Sequence, residues 1–394
     1  MKKMKKRLLC VFLSMVFIVS LCLPLTGCNN SADTDVGTPQ ASVAPPSTEA
    51  QVSDDGGGSA PSSGTSGNAY KQFGPDEPIN FAYVSALMAI GWCVQVADAF
   101  NELADEYNLV VNIGDGELSP EVQFNLLEQY IAMGVDVVAV MLTDPGSSEA
   151  MAELCRNAGV LMVGETAAMM GADGKLVAPC DWLYGYEVGY KMGEWVAENH
   201  QRYGFDFSDH TNLGFAYISD ATFVEMADRE NGCKDAWFEA YPDFPKDQVF
   251  VGDVSAEGQI AAMEAGYNQM AAILTANPQI ETWVVLSFQE DFASGACRAI
   301  EDLGLVDQVM LVSAGGENVI PEWDAGLTKP WYATCYFTGM DSARIVVEAI
   351  DKILRQGVAP EDVYPNKKPG ETFGYQTFSG EMLDYDNYKT LLGR

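Results

Sequence analysis

Aromatic and polar side chains follow several short apolar runs in this sequence, at points where a chain leaves a β-strand. Trp92 comes after the run at 80–85, Glu165 directly follows the run at 160–163, and Gln289 follows the run at 282–286. An indole face covers apolar C–H groups, a carboxylate accepts hydrogen bonds, and an amide both donates and accepts them. These residue types together favour noncovalent binding of a small polar molecule.

Two charged residues, Glu225 and Arg229, follow another apolar run at 212–218. One helical turn separates them, so they share a face of a predicted helix. The spacing fits either a pair of ligand-binding groups or an ordinary ion pair within the helix, and both interpretations stay open. Gln289 is also open to a second role, as the polar cap of the helix that follows it.

Catalytic residue sets are scarce in this sequence. The two histidines, His200 and His210, join no plausible nucleophile triad or histidine-rich metal set. No P-loop spacing appears, and no GxGxxG motif follows a strand. The carboxyl groups of Glu165 and Asp181 are the remaining candidates, for glycosidic acid–base chemistry. We therefore predict that the protein is not an enzyme and uses no cofactor or metal.

Short β-rich runs alternate with amphipathic stretches over most of the chain. The predicted strands are 80–85, 109–113, 136–141, 160–163, 212–218, 248–254, 282–286, 309–313 and 332–336. The predicted helices are 94–107, 122–133, 149–158, 184–200, 256–276, 292–303 and 341–356. Apolar strands that alternate with helices imply parallel sheets covered on both faces, with ligands bound beyond the carboxyl ends of the strands. About 315 residues follow position 78, more than one core usually absorbs, which predicts two doubly wound α/β lobes.

The first 27 residues have the pattern of an export signal. Five cations lie within positions 2–7, and a largely apolar, charge-free run extends from 8 to 23. The run ends in Leu-Thr-Gly-Cys at 25–28, which resembles the lipobox of bacterial lipoproteins. The resemblance implies that Cys28 becomes the first mature residue, carries acyl chains and anchors the body outside the cytoplasm at the cell membrane. A plain secretory peptide or a membrane helix is the alternative.

The segment 28–78 is composed mainly of small and polar residues. It has almost no large apolar side chains to offset the entropy of ordering, so we predict a disordered tether. Removal of the five early cations leaves 17 basic against 56 acidic residues, a formal charge of −39. Such a charge disfavours nucleic acid and anionic lipid as partners. The six cysteines of the body have no CxxC or metal-ligand spacing, and nothing indicates disulfides.

Three motifs resemble the type I periplasmic sugar-binding proteins, with the ribose- and arabinose-binding proteins as the nearest branches. They are Ile-Ala-Met-Gly-Val-Asp at 131–136 before a strand, Asn277-Pro278 before Trp-Val-Val-Leu at 283–286, and Ala-Ser-Gly-Ala-Cys-Arg-Ala-Ile at 293–300. The resemblance covers about 79–394. It implies two lobes joined by three crossovers, with lobe one at 79–180 plus 337–366 and lobe two at 181–336 plus 367–394.

The resemblance also implies a ligand set. Trp92 stands where the family has an aromatic ring, Glu165 where it has an acidic residue, Arg229 where it has an arginine, and Gln289 with Glu290 where it has an Asn-Asp pair. Further expected contacts, each open to being a solvated loop or helix residue, are Asp181 and Trp182 at the first crossover, Glu225, Glu317, Asn318, and Tyr336 at the third crossover. Gly315 and Met141 depart from the family, because they replace polar residues.

The function that the resemblance implies is capture of a small polar ligand, a monosaccharide, and its delivery by a monomer to the permease subunits of an ABC importer. Two alternatives stay open. The closed form could be presented to a receptor instead, or the many carboxylates could select a nucleoside or an amine-bearing solute.

Overall fold

Alternating strands and helices build the part of the chain that the structure, a computed structural model, describes, namely residues 69–256 and 258–394. These residues belong to one compact unit, 64–394. The expected signal, the acylated Cys28 and nearly all of the expected tether lie outside the described residues. No helix of the described ranges is long and apolar enough to cross a membrane.

The first sheet is entirely parallel, with the strand order β11-β5-β4-β3-β1-β2. Its strands are β1 (Ile79–Ser85), β2 (Leu109–Asp115), β3 (Val137–Val140), β4 (Leu161–Gly164), β5 (Cys180–Leu183) and β11 (Tyr375–Phe378). The helices between or beside them are α1 (Gly91–Leu103), α2 (Pro120–Met133), α3 (Ser148–Ala158) and α9 (Gly339–Leu354). Separate apolar clusters cover the two faces of this sheet, as its continuous apolar strands require.

The second sheet has the strand order β12-β10-β9-β8-β6-β7, parallel except for β12. Its strands are β6 (Leu213–Ser219), β7 (Val249–Asp253), β8 (Thr282–Ser287), β9 (Val309–Gly315), β10 (Trp331–Tyr336) and β12 (Glu381–Asp384). Its helices are α4 (Gly185–Asn199), α5 (Val224–Ala240), α6 (Ala262–Ala276), α7 (Glu290–Asp302), α8 (Val319–Asp324) and α10 (Tyr388–Leu391). The expected fold class, two doubly wound α/β lobes, is confirmed.

Local signals in the sequence set where helices begin and end. Ser119 accepts a hydrogen bond from the Val122 N–H at 3.3 Å, Pro120 occupies the first turn of α2, and Gly134 ends the helix with a φ of 83°. Thr338 and Asp341 form a capping box at the start of α9. Each device satisfies backbone groups that a helix end leaves unpaired. The capping box places α9 directly after the chain leaves β10.

The chain passes between the sheets three times, after β5, after β10 and between β11 and β12, and the first and last passages lie at different positions from those expected. β5 extends to Leu183 and pairs with β11, so lobe one runs to Leu183 rather than to Cys180. The return to lobe two comes after Phe378 and not at 366, because β11 belongs to the first sheet and β12 to the second. β5 and β11 lack the apolar run that marks the neighbouring strands, because both are short and carry polar residues.

Candidate ligand-binding cleft

A cleft between the lobes holds about 680 Å³ of space, including the part that opens to solvent. Lobe one contributes Ile90, Trp92, Met141, Thr166 and Leu183. Lobe two contributes Phe223, Glu225, Met226, Arg229, Gln259, Gln289, Asp291, Ala314, Gly315 and Glu317, and the crossover residue Phe337 completes the lining. The cleft thus collects the expected Trp92, Glu225, Arg229, Gln289 and Glu317.

Trp92 lies in the first turn of α1 with its ring held on several sides. Its indole N–H donates to the Thr166 hydroxyl oxygen at 2.8 Å. Its ring stacks on Phe378 at a centroid distance of 6.1 Å and meets Phe337 edge-on at 5.5 Å. Phe337 and Phe378 stand where two of the crossover connections begin, so the indole packs against the segments that join the lobes.

Thr166 has a φ of 62°, a backbone conformation that a β-branched residue adopts only at a cost of about 1–3 kcal/mol. Surrounding hydrogen bonds hold it there. Its N–H donates to Asp181 Oδ1 at 2.8 Å, its carbonyl accepts from the Leu183 N–H at 3.0 Å, and its hydroxyl donates to Glu165. The strained residue therefore presents its hydroxyl to Trp92 at the cleft wall.

Glu165 and Asp181 do not line the cleft, contrary to the expectation from the sequence. Both are fully buried behind Thr166. The Glu165 carboxylate also accepts hydrogen bonds from Ser342 at 2.7 Å and Tyr83 at 3.1 Å, which turn it inward. Burial raises the pKa of Glu165, and burial with the nearby Glu165 charge raises the pKa of Asp181 well above its usual range. Glu165 and Asp181 therefore support the lobe-one wall of the cleft from behind and do not form its surface.

Trp182, Asn318 and Tyr336 also lie outside the cleft lining. Neighbouring residues of a strand point to opposite faces, so Trp182 turns away from the side of Asp181 and packs edge-on against Tyr375 at 5.3 Å. The backbone N–H of Asn318 donates to Glu290, and its side-chain amide donates to Asp291, so Asn318 is held within lobe two. Tyr336 covers Gly316 and lines grooves outside the cleft.

Glu225 and Arg229 share one face of α5 and both reach the cleft. Arg229 is 7% exposed; Nη1 donates to the Phe288 carbonyl, and Nε is buried without a partner. Burial lowers the pKa of Arg229 to about 10, while the Glu225 charge opposes that change. Burial likewise raises the pKa of Glu225. Removal from water raises the free energy of both charged groups, and only hydrogen-bonding or charged partners offset this increase.

Two amide oxygens of the lobe-two wall are buried without partners. Gln289 donates from Nε2 to Asp291 at 3.3 Å, and Gln259 donates from Nε2 to Asp220 at 3.2 Å, while Oε1 of each amide is unpaired. Buried polar atoms almost always have hydrogen-bond partners, so an unpaired set in one cleft calls for an explanation. With Arg229 Nε, the cleft offers one free donor and two free acceptors.

Glu290 and Glu317 occupy different depths of the lobe-two wall. Glu290 is fully buried, accepting from Ser313 and Thr334 at 3.0 Å each and from the backbone N–H groups of Asn318 and Val319. Burial raises the pKa of Glu290. Glu317 is exposed to solvent at the cleft, and partial desolvation of its carboxyl group, with the Glu290 charge, raises the pKa of Glu317 to about 8.

Gly315 and Met141, the two departures from the family pattern, both line the cleft. Gly315 has a φ of 134°, and a Cβ atom there would lie 2.7 Å from Glu290 Cγ and from Glu317 Oε2. Its position therefore has no room for the polar side chain of the relatives, because Glu317 fills that space.

A larger groove, about 1250 Å³ including open solvent, lies on the other side of the crossovers. It is lined by residues of α9, β12 and α10, among them Met340, Arg344 and Leu391. None of the buried unpaired polar atoms found in the described residues belongs to its lining. The interlobe cleft is therefore the better candidate site in spite of its smaller size.

Comparison with known proteins gives a consistent result. Residues 81–356, more than half of the chain, match the periplasmic binding protein domain. The chain belongs to the periplasmic binding protein family. An L-arabinose-binding periplasmic protein of an ABC transporter from Azospirillum brasilense is 21% identical over 80% of this chain and 89% of its own length. The resemblance expected from the sequence is confirmed, and so is the prediction that the protein is not an enzyme, because the family consists of solute-binding transport proteins.

Solved structures share the fold of this binding protein at low identity. A myo-inositol-binding protein from Caulobacter superposes with a TM-score of 0.62 at 17% identity, covering 78% of this chain and 94% of its own. A D-glucose complex of a carbohydrate transporter protein from Chloroflexus aurantiacus has a TM-score of 0.66 at 14% identity, covering 80% and 95%. The family acts outside the cytoplasm, which agrees with the expected location of this chain.

Thr166, Gln259, Asp291, Phe223 and Phe337 line the cleft of the binding protein but were absent from the expected ligand set. Thr166 and Asp291 adjoin the expected residues Glu165 and Glu290, so an uncertainty of one position would have included them. Gln259 carries no such signal, since it begins a short 3₁₀ helix directly before α6 and does not immediately follow a strand.

Proposed function

We propose that this protein captures a monosaccharide-sized, polyhydroxylated solute in the interlobe cleft and delivers it to the permease of an ABC importer. The observation that carries the proposal is the set of buried unpaired atoms, Arg229 Nε, Gln259 Oε1 and Gln289 Oε1, on one cleft wall. Hydroxyl groups both donate and accept, so one sugar could satisfy all three. The sugar ligands of the arabinose-, inositol- and glucose-binding relatives support this class.

The opposite wall suits the apolar face of such a ligand. Trp92 supplies an aromatic ring beside the cleft, next to Ile90 and Met141. Aromatic rings pack on C–H groups while leaving hydroxyl edges free for hydrogen bonds. Trp92, Glu225, Arg229, Gln289 and Glu317 are thus the proposed contacts, with the two lobes closing on the ligand.

A thermal-shift screen of monosaccharides, disaccharides, nucleosides and amines tests the ligand class. A ligand present at a hundredfold excess over its Kd adds about 2.7 kcal/mol to the free energy of unfolding, which such a screen detects. A monosaccharide should give the largest shift among the neutral compounds. Stabilisation by nucleosides alone would reject the proposed class.

The closure mechanism is tested with Gln289→Ala and small-angle scattering. Ligand shifts an open–closed equilibrium only through contacts that differ between the two states, so loss of a lobe-two contact should reduce compaction at a fixed ligand concentration. Lys352→Ala is the control, since Lys352 lies on the exposed side of α9 paired with Glu348. Wild-type protein that fails to compact at saturation would contradict closure.

We further propose that the chain is made with a signal at 1–27, is acylated on Cys28 and is tethered to the membrane through 28–78 as a monomer. The support is the cation-rich start, the apolar run and Leu-Thr-Gly-Cys at 25–28. Cys28→Ala should abolish fatty-acid labelling and release the body from the membrane fraction, because paired acyl chains provide the anchor. Equal labelling and fractionation of the variant would reject the lipid anchor.

A further inference from the structure

The cleft carries a surplus of carboxyl groups. Its lining holds three, Glu225, Asp291 and Glu317, against one cation, Arg229. Four more carboxyl groups, those of Asp220, Glu290, Glu165 and Asp181, are buried directly behind the lining residues Gln259, Gly315 and Thr166. Low-dielectric walls focus the charge of the ionised members of this set into the cleft, where it attracts cations.

Burial leaves these groups short of positive partners. Desolvation raises the pKa of Glu225, of Glu290 and, together with the Glu290 charge, of Glu317, which reaches about 8. A buried carboxyl group that lacks a cation keeps its proton instead of its charge. With its pKa raised to about 8, the solvent-exposed Glu317 holds a proton at neutral pH that a bound cation would displace.

The charged groups around Glu317 come from several elements. They are Glu290 and Asp291 of α7, Arg229 of α5, Tyr336 of β10, Asp324 of α8 and the C-terminal Arg394. Arg229 is the cation on the cleft side, and it is itself committed to the Phe288 carbonyl. Carboxyl groups outnumber cations in this set as they do in the lining.

The cleft is built for an organic cation and not for a metal ion. Among the residues that the structure describes, no group of three or more histidine, cysteine or acidic side chains could hold a metal. Trp92, Phe223 and Phe337 instead supply aromatic surface, which attracts organic ammonium groups. The unpaired Gln259 and Gln289 oxygens, of which Gln259 is 5% exposed, require N–H or O–H donors from whatever fills the cleft.

We propose that the solute is a polyhydroxylated amine, such as an amino sugar, whose ammonium group binds between Glu317 and Asp291 while its hydroxyl groups satisfy Arg229, Gln259 and Gln289. The assignment rests on the proposed function of the cleft and narrows its ligand class. Binding transfers the Glu317 proton to the buffer, leaving a carboxylate opposite the ammonium group. A neutral sugar would leave that proton in place.

Ligands of similar shape but different charge distinguish the contribution of the ammonium group to binding from that of the sugar ring. Glucose, galactose and mannose are compared by calorimetry with their 6-amino-6-deoxy analogues, with the N-acetylated forms of those amines, and with choline, at pH 6.5. At least one amine should bind about tenfold or more tightly than both its neutral parent and its acetylated form, which corresponds to about 1.4 kcal/mol.

Each other outcome overturns a distinct statement. Neutral sugars that bind as tightly as their amines would overturn the amine assignment and leave the proposed sugar function standing. Choline, with a single hydroxyl group, as the tightest ligand would overturn the requirement for a polyhydroxylated ligand, and binding of none of these compounds would count against both proposals.

Proton release provides a second readout. At pH 7, calorimetry in two buffers of different ionisation enthalpy should show close to one proton released per amine bound, and none per neutral sugar. Glu317→Gln should abolish the release and the preference for the amine, because the amide holds no titrating proton. The control Glu348→Gln, at an exposed position on α9, should retain both. Tight amine binding by wild type without proton release would place the ammonium group elsewhere and overturn the assignment.

Discussion

The two walls of the cleft are made of different chemistry. Lobe one presents apolar and aromatic surface with one hydroxyl, and its carboxyl groups lie buried behind that surface. Lobe two presents all four charged residues of the lining together with two amides. Apolar surface contributes affinity with little direction, whereas hydrogen-bonding and charged groups select a partner. Lobe one therefore contributes mainly to binding affinity, and lobe two contributes mainly to ligand selectivity.

The difference also has a structural cause. In lobe one, Ser342 and Tyr83 hold the Glu165 carboxylate inside, and Thr166 covers it. In lobe two, Gly315 has no side chain, and Glu317 occupies the space left beside it. The lobe-one wall therefore keeps its acidic residues buried, while the lobe-two wall presents three acidic residues, Glu225, Asp291 and Glu317, to the ligand.

The largest expected effect concerns the protons held by both walls. Because the pKa of Glu317 is raised to about 8, the folded protein binds this proton more tightly than the unfolded chain. Stability from this group is present at low pH and declines as pH rises toward 8; because Glu317 is exposed to solvent, screening keeps the loss well below that of a buried group with the same pKa. Urea unfolding of ligand-free protein from pH 5 to 8 measures it.

Glu317→Gln should flatten that dependence in part, and Glu348→Gln should leave it unchanged. The remaining slope would come from the carboxyl groups of Glu165, Asp181 and Glu290, whose raised pKa values act in the same direction. Stability that rises between pH 5 and 8 would show that these acids are charged in the folded state.

The next effect tests the lobe-one wall. Trp92→Ala should weaken ligand binding by about 1.5–3 kcal/mol, roughly ten- to hundredfold, through lost apolar burial. Trp182→Ala is a matched control, because Trp182 packs against Tyr375 outside the cleft lining. Calorimetry with the ligand from the screen compares the two variants. Weaker binding in Trp182→Ala but not in Trp92→Ala would reverse the assignment of the two tryptophans.

The smallest effect concerns the support of the ring. Thr166→Val removes the acceptor for the Trp92 indole N–H and the donor to Glu165, which should weaken binding by about 1 kcal/mol, roughly fivefold. The intrinsic fluorescence of Trp92 should shift as its hydrogen bond is lost. Thr166→Ser keeps the hydroxyl and should restore both properties; a serine variant as weak as the valine variant would mean that the hydroxyl does not position the ring.

Sequence patterns were most informative about elements with strong periodicity. All nine predicted strands are present, because each contains an apolar run that a sheet buries. β5, β11 and β12 escaped prediction since their residues alternate or are polar, and the last two depend on partners distant in sequence. Because these strands were missed, the predicted first crossover lies three residues before its actual position, and the predicted last crossover lies about a dozen residues before it.

The position of a residue directly after a strand indicated that it lies near the cleft, but not whether its side chain forms the cleft surface. Trp92, Glu225, Arg229, Gln289 and Glu317 reach the lining as expected, whereas Glu165 and Asp181 stop one layer behind it. The deciding contacts come from residues far along the chain, such as Ser342 on α9, which no local pattern connects to Glu165.

The sequence by itself determined the two-lobed α/β architecture and the strand ends at which a ligand-binding residue can stand, because these follow from local apolar periodicity and the parallel-sheet rule. Only the tertiary structure decided which side chains face the cleft and which carboxyl groups keep their protons. Orientation and burial depend on neighbours from separate segments, and burial is what raises the pKa values of Glu165, Asp181 and Glu290 and leaves Arg229 Nε, Gln259 Oε1 and Gln289 Oε1 unpaired.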